Sequence, residues 1–258
     1  MKKISRNPLI SVIMNCHNGQ EFVQESVKSL ISQTYKNWEL IFYDNFSRDL
    51  SIKIIRSFKD KRIKFFKSNK FLKLYDARNN AIKFAKGKYI AFLDTDDYWK
   101  KDKLTKQVNF VLKKKIKMCY SNYYIHYNSK KKRLRVLKDN FDVNTKNLIN
   151  DYNIGILTVL LERSIFKKIK FNKKFEIIGD FDFFIKLSEI MKIGFINEPL
   201  AFYRVHDSNL SKQRINLHIK ELSRWIDEKR KNLEKKNVSI KNLSFFLMKL
   251  KIKNILNI

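Results

Sequence analysis

Asp94, Asp96 and Asp97 stand within four positions of one another, directly after the apolar run Tyr89-Ile-Ala-Phe-Leu93. Five consecutive apolar residues read as a strand buried on both faces, the kind that fills parallel sheets. Ligands of open α/β sheets bind at the carboxyl ends of such strands. Three carboxylates there repel one another unless a cation joins them. A hard divalent ion that also grips substrate phosphates is the natural partner. A second acidic pair, Asp180 and Asp182, falls in the first turn of a helix predicted from the spacing of Phe181, Phe184, Ile185 and Ser188. Acids favour a helix N-terminus for dipole reasons alone. A carboxylate there can also take a proton from a bound hydroxyl.

The elements that must position these groups alternate. Residues 9–14 read as a first strand ending at Asn15-Cys16-His17-Asn18-Gly19, and Val23, Val27, Leu30 and Ile31 mark a helix after it. Residues 38–43 give a second strand ending at Asp44. The next helix carries Ile52, Ile55 and Phe58, with Ser47 or Asn45 as its expected cap. Residues 63–66 form a short third strand. Ala77, Ala81 and Phe84 mark a helix that Gly87 is expected to close before the central strand. This alternation predicts βαβ units, a parallel sheet and three strand ends that converge: 15–18, 44–49 and 94–97. Arg78 adds a cation that could face phosphates. Neither GxGxxG nor GxxxxGK[ST] occurs, which argues against a nicotinamide dehydrogenase and a P-loop NTPase.

Further on, residues 107–117 read as a basic helix and 118–127 as an aromatic-rich strand, its tyrosines more simply core than sugar platforms. Residues 130–133 read as a solvated hairpin tip, and 156–161 as another buried strand.

The bulk numbers bound the rest. With 258 residues, 44% hydrophobic and 21 of them Phe, the chain can build a large core. Two cysteines without CxxC spacing fit a reducing compartment and exclude a disulfide framework or zinc cluster. Residues 1–8 are short and polar, so no signal peptide is expected, and no apolar run is long enough to span a bilayer. The net charge of +31 suggests a polyanion partner. Yet the lysines are spread along the whole chain and no nucleic-acid-binding pattern accompanies them. Compositional drift is the simpler account, and no nucleic-acid partner is expected.

Several ordered stretches resemble the family 2 glycosyltransferases over residues 8–211: Val-Ile-Met-Asn-Cys-His-Asn-Gly, Ser-Gln-Thr-Tyr-Lys-Asn-Trp-Glu-Leu, Tyr-Asp-Asn-Phe-Ser-Arg-Asp, Ala-Arg-Asn-Asn-Ala and Gly-Lys-Tyr-Ile-Ala-Phe-Leu-Asp-Thr-Asp-Asp. The resemblance implies a GT-A fold: a Rossmann-like, mainly parallel α/β sheet flanked by helices. It also implies a nucleotide-sugar donor with UDP-sugar favoured, Mn²⁺ or Mg²⁺, and inversion at the anomeric carbon. By the same resemblance, Asp44 would read the donor's base beside Asn15 and His17, with Arg78, Asp94 and Thr95 also contacting the donor. Asp94 and Asp96 match the DxD motif, Asp96 as the direct metal ligand and Asp97 as support. Asp180 would be the catalytic base, although Gly179 stands where Glu is usual, and Asp182 a supporting acid. Residues 199–211 resemble the family's Tyr-Arg-x-His segment, which puts His206 near the metal and Arg204 on phosphate or a site carboxylate. Asn45, Phe46 and His17 depart from the pattern and bear on donor choice.

Residues 212–258 change character. Ile215, Ile219, Leu222 and Ile226 share a helical face, and residues 243–258 mix large apolar side chains with Lys249, Lys251 and Lys253. This basic amphipathic tail reads equally as a helix docked on the domain or a second subunit, and as a segment lying on an anionic membrane. The expectation is therefore a catalytic domain over 1–211 with a helical extension. It would transfer a hexosyl or N-acetylhexosaminyl group to a glycan or lipid-linked acceptor in bacterial surface-polysaccharide synthesis. The expected location is cytoplasmic, extending to the inner membrane face, with homo-oligomerisation open. A nucleotidyltransferase and a non-catalytic polyanion-binding module are the rivals.

Overall fold

The computed structural model describes residues 7–127, 132–135 and 143–256. Strands β1 (Ile10–Cys16), β2 (Trp38–Asp44), β3 (Ile63–Lys67) and β4 (Tyr89–Phe92) run parallel, separated by helices α1 (Val23–Ile31), α2 (Ser51–Ser57) and α3 (Leu74–Ile82). After the two-residue strand β5 (Tyr98–Trp99) come α4 (Lys103–Lys114), β6 (Met118–Tyr127), β7 (Lys132–Arg135), α5 (Thr145–Asn150), β8 (Leu160–Glu162), α6 (Gly179–Ile190) and β9 (Gly194–Val205). Helices α7 (Leu210–Gln213), α8 (Ile215–Lys235) and α9 (Lys241–Ile255) complete the chain. Among the described residues the sheet order is β3-β2-β1-β4-β8-β6-β9-β5, with β7 paired to β6. Strand β8 is antiparallel to both neighbours, so the sheet is mixed but mainly parallel.

Strands β1, β2 and β4 are apolar on consecutive positions because helices cover both faces of the sheet. Alternate side chains feed opposite layers. Val12, Met14, Leu40 and Phe42 pack with Val23, Val27 and Leu30 of α1. Ile13, Ile41, Ile90 and Phe92 pack with Ala77 and Ala81 of α3, Phe183 and Phe184 of α6, and Leu222, Trp225 and Ile226 of α8. Helix α8 thus shares the core of the sheet. Its Trp225 Nε1 donates to Asp182 Oδ1 at 3.0 Å, and its Glu221 carboxylate accepts from the backbone of Glu176, Ile177 and Ile178 at 2.7, 2.9 and 3.2 Å.

Local expectations are corrected in five places. Helix α2 is not capped by Ser47 or Asn45: Asp49 Oδ1 takes the Ser51 N–H at 3.0 Å. Ser47 Oγ serves Asn18 N instead, and Asn45 ties down Leu72. Gly87 does not close α3, which ends five residues earlier at Ile82. It is required because the chain passes so close to β1 that a Cβ would lie 2.5 Å from Ser11 N. Residues 156–161 are not one strand: Ile156–Thr158 make a 3₁₀ turn and only Leu160–Glu162 pair. The basic helix begins earlier than residue 107 and ends at Lys114, where Lys115 turns left-handed. Of the supposed hairpin tip 130–133, residues 130 and 131 lie outside the described residues, and Lys132–Arg135 form β7.

Because Trp225 supplies a charge-assisted bond to a buried carboxylate, Trp225→Phe should destabilise the whole domain by about 1.5–3 kcal/mol. Urea unfolding would show this as a lower midpoint in one cooperative transition. An unchanged midpoint would mean that α8 is not integral to the fold.

Candidate active site

The carboxyl end of β4 carries the three neighbouring acids, and each meets a different partner. Arg78 of α3 is buried and its Nη2 donates to Asp94 Oδ1 at 2.8 Å. His206 Nε2 lies 3.0 Å from Asp96 Oδ2, with Asn209 Nδ2 at 3.4 Å. Asp97 is buried and its Oδ1 accepts the Arg204 backbone N–H at 3.0 Å. Asp94 and Asp96 remain 32% and 28% exposed, so they present oxygens outward while Asp97 holds the loop. Burial, and then the Asp96 and Asp94 charges, push the Asp97 carboxyl well above the usual range. Burial raises Asp94 too, against the pull of Arg78.

A cavity of about 300 Å³ opens beside these groups. Asp94, Asp96, Arg78 and Tyr75 line one part, and Asp180 from the first turn of α6 lines another. Asp180 Oδ1 accepts from Tyr75 OH at 3.2 Å and from Phe181 N at 2.8 Å. Burial raises the Asp180 carboxyl; these two bonds and the Arg78 charge oppose that rise. Gly179 is what lets Tyr75 reach Asp180, since a Cβ there would sit 2.4 Å from the Tyr75 ring.

The remaining candidates occupy the neighbouring strand ends. Asp44, at the end of β2, is fully buried and faces the Ser47 N–H at 3.3 Å. Phe46 between them has φ 68°, a left-handed conformation that glycine adopts more readily. Asn15, the last residue but one of β1, has both amide atoms buried and unpartnered, and Arg78 Nε is likewise unpartnered. His17 turns outward, its Nδ1 3.0 Å from Asn45 O and its ring against Phe71. Thr95 packs at Gly19, where its Oγ1 would be 3.0 Å from an added Cβ.

Two sequence candidates take other partners. Asp182 is buried away from the cavity, held by Trp225 and by Lys186 Nζ at 2.6 Å. The Arg204 guanidinium binds Asp96 O at 2.9 Å and Glu25 Oε2 at 2.5 Å, and lies over Phe22. It clamps the acidic loop to α1. Tyr75, Glu25 and Asn209 escaped notice in the sequence. Tyr75 stands three residues before Arg78, on the same helical face, and Asn209 three after His206. Those spacings were the available signals.

Among the described residues no cluster of three or more His, Cys, Asp or Glu could enclose a metal by itself. The donors present nonetheless fit a Mg²⁺ or Mn²⁺ ion shared with substrate phosphates. Asp96 Oδ2 and His206 Nε2 are 3.0 Å apart, close to the spacing of adjacent octahedral ligands at bonds of about 2.1 Å.

The site is thus an acidic loop at the strand ends of a mainly parallel sheet, beside a cavity that a further carboxylate faces from a later helix. The glycosyl transferase family 2 model matches residues 11–186, and the chain belongs to that family. It is therefore a transferase, and the nucleotidyltransferase and polyanion-module readings fall away. The chain is 36% identical over 217 residues to the Escherichia coli UDP-Glc:α-D-GlcNAc-diphosphoundecaprenol β-1,3-glucosyltransferase WfaP, covering 83% of this chain and 84% of that one. It is 30% identical over 213 residues to a putative teichuronic acid biosynthesis glycosyltransferase, TuaG, of Bacillus subtilis, covering 80% and 83%. Among solved structures it is similar to S. aureus TarS 1-349 in complex with UDP-GlcNAc, with TM-score 0.69, 18% identity and coverage of 84% of this chain and 66% of that one. The Pyrobaculum calidifontis mannosyltransferase PcManGT, in complex with GDP-Man and Mn²⁺, gives TM-score 0.64 at 14% identity, covering 86% and 65%.

Asp97 has a folded-state pKa above its unfolded value, so it favours folding below the unfolded pKa and loses that contribution as pH rises through the folded one. Asp97→Asn, which retains an acceptor for Arg204 N, should therefore gain stability relative to the native chain as pH rises from about 4 towards 7. Unfolding midpoints in EDTA across that range would check it. A stability difference between variant and native chain that stays constant or falls over that range would refute it.

Proposed function

We propose that the chain is an inverting, metal-dependent glycosyltransferase that moves a sugar from a UDP-sugar to a hydroxyl of a lipid-linked saccharide in surface-polysaccharide synthesis. The observation that carries this reading is the shared cavity: Asp94, Asp96 and Arg78 on one part, Asp180 on another. The diphosphate of the donor belongs beside the acidic loop. The nucleoside extends along the ends of β1 and β2, towards Asn15 and Asp44, whose polar side-chain atoms are buried beneath that surface. Asp96 and His206, with Asp94 beside them, would hold the divalent ion. When bound, it neutralises charge growing on the leaving diphosphate. Arg78 keeps Asp94 ionised and oriented.

Asp180 takes the proton from the acceptor hydroxyl as that oxygen bonds to the anomeric carbon. The bond from that carbon to the diphosphate oxygen breaks, and the nucleoside diphosphate leaves with the electron pair. A single displacement of this kind inverts the centre, and it needs one base, which Asp180 supplies. Its raised pKa makes it a better proton acceptor than an ordinary carboxylate. The donor and acceptor classes are supported by WfaP, whose name specifies UDP-Glc and a diphosphoundecaprenol-linked GlcNAc. Such an acceptor puts the work at the inner face of the cytoplasmic membrane. Among the described residues no helix is long and apolar enough to cross it.

The decisive assay is transfer from a panel of UDP-, GDP-, dTDP- and CMP-sugars to a diphosphate-lipid-linked GlcNAc, with Mn²⁺ or EDTA. One UDP-sugar should be used, with loss in EDTA. Asp180→Asn and Asp96→Ala should each lower kcat at least about a hundredfold, while Asp180→Asn still binds UDP. An Asp180→Asn enzyme with near-native kcat would overturn the base assignment.

Tyr75 tests the same carboxylate from another side. Its hydroxyl stabilises ionised Asp180, so Tyr75→Phe should raise the Asp180 pKa and move the acid limb of kcat to higher pH. The plateau rate should change little, because the carboxylate itself remains. An acid limb that stays in place, or moves to lower pH, would count against Asp180 as the titrating base.

A further inference from the structure

Helix α9 has two apolar faces. Leu243, Leu247 and Leu250 point inward and pack on the core. Phe245, Met248, Ile252 and Ile255, recurring at steps of three and four, line the opposite face and are about half exposed or more. A stripe at that spacing is one continuous ridge along a helix. Leu256, just beyond the helix, is 59% exposed and extends the apolar surface. Lys249, Lys251 and Lys253 flank the ridge, and α9 contains no Asp or Glu. Lys249 Nζ lies 4.4 Å from the centre of the Phe245 ring, so its stem runs along the apolar surface with its charge at the margin.

We propose that this outer face of α9 seats on an anionic lipid bilayer. The occupant follows from charge and length. A ridge of large apolar residues whose charged neighbours on the helix are all lysines complements a surface that is apolar inside and negative at its rim. A second copy of the same face would bring lysine rows against lysine rows. At 15 residues, α9 rises about 22 Å, short of the roughly 30 Å of a bilayer core, so it lies in the interface plane and does not span.

The seat also has a consequence for the acceptor. A cavity of about 400 Å³ lies between α5, α6, α8 and α9, with Leu243 and Phe246 in one wall and Asp180 in another. Phe246 lies in that wall, on a different side of α9 from the ridge. A bilayer that seats α9 thus brings a lipid-linked acceptor to a helix that walls the cavity. This last step rests on the lipid-linked acceptor proposed above; the seating itself does not.

The test uses the full chain and vesicles of phosphatidylglycerol with phosphatidylcholine, against phosphatidylcholine alone. Because the net charge of +31 attracts any anionic surface, the comparison is a charge-conserving variant, Met248→Ser with Ile252→Ser and Ile255→Ser, at about 0.5 M salt to screen long-range attraction. These side chains are exposed, and circular dichroism and a thermal melt would verify an unchanged fold. The native chain should sediment with the anionic vesicles in salt, and the variant should partition at least about tenfold less. Equal partitioning, or loss of native binding in salt, would overturn the proposal. So would a vesicle-free dimer that the variant dissociates, which would give the face to a second copy. Transfer to the vesicle-borne acceptor should fall in the variant, with transfer to a short-chain soluble acceptor unchanged. If the native chain binds vesicles but transfers to neither, the proposed reaction fails and the membrane seat stands.

Discussion

The structure is built around a concentration of negative charge at the end of β4. Two unit charges about 4 Å apart at an effective dielectric of about 20 repel by roughly 4 kcal/mol, and here three carboxylates follow one buried strand. Each meets a different partner, one from α3 and two from the end of β9 and the residue after it. Arg78 from α3 meets Asp94, His206 from the segment after β9 meets Asp96, and the backbone of Arg204 meets Asp97. Arg204 adds a strap across the loop by binding Asp96 O while pairing with Glu25 of α1. The long strand β9 therefore does more than extend the sheet. It returns the chain to the acidic loop, so the loop's geometry depends on residues more than a hundred positions away.

The same economy appears in α6. Asp180 and Asp182 are two residues apart in one first turn, yet opposite sides of the turn give them different fates. Asp182 is spent on Trp225 and Lys186, fastening α6 to α8. Asp180 faces the cavity, its charge stabilised by a backbone N–H, the Arg78 charge and a tyrosine hydroxyl. Glu221 of α8 holds the three backbone N–H groups just ahead of that turn. The C-terminal helix thus fixes where α6 begins, and with it the position of Asp180.

Much of this was legible in the sequence, because the informative features are local. Apolar runs at β1, β2 and β4, helical spacing after each, and acids at the strand ends gave the sheet and the acidic loop. The start of α6 at Gly179 followed from Phe181, Phe184 and Ile185. What stayed hidden depends on tertiary approach. Gly87 looked like a helix terminator, but its reason is the proximity of Ser11, which no local pattern encodes. Arg204 looked available for phosphate because Glu25 is 179 residues away. Asp182 read as a supporting acid beside Asp180 because the Trp225 that claims it lies in a segment that read as a tail. The break at 156–159, a 3₁₀ turn within an apolar run, was invisible because periodicity cannot separate a short buried strand from a short buried turn.

The C-terminal helices also separate two tasks in space. The groups assigned to the donor stand on strand ends of the sheet, where βα loops set them: Asn15, Asp44, Asp94 and Asp96. The second cavity at Asp180 is walled by α5, α6, α8 and α9, none of which carries a strand-end residue. Asp180 lines both cavities and is the one candidate catalytic group they share. If Asp180 is the base proposed above, a change in the helices would alter which hydroxyl reaches it without touching the acidic loop, and a change at the strand ends would alter the nucleotide without disturbing the other cavity. On the proposed reading, what must not change is the join between them, Arg78, Tyr75 and Asp180, because Arg78 and Tyr75 both act on the ionisation of Asp180 while Arg78 also pairs with Asp94.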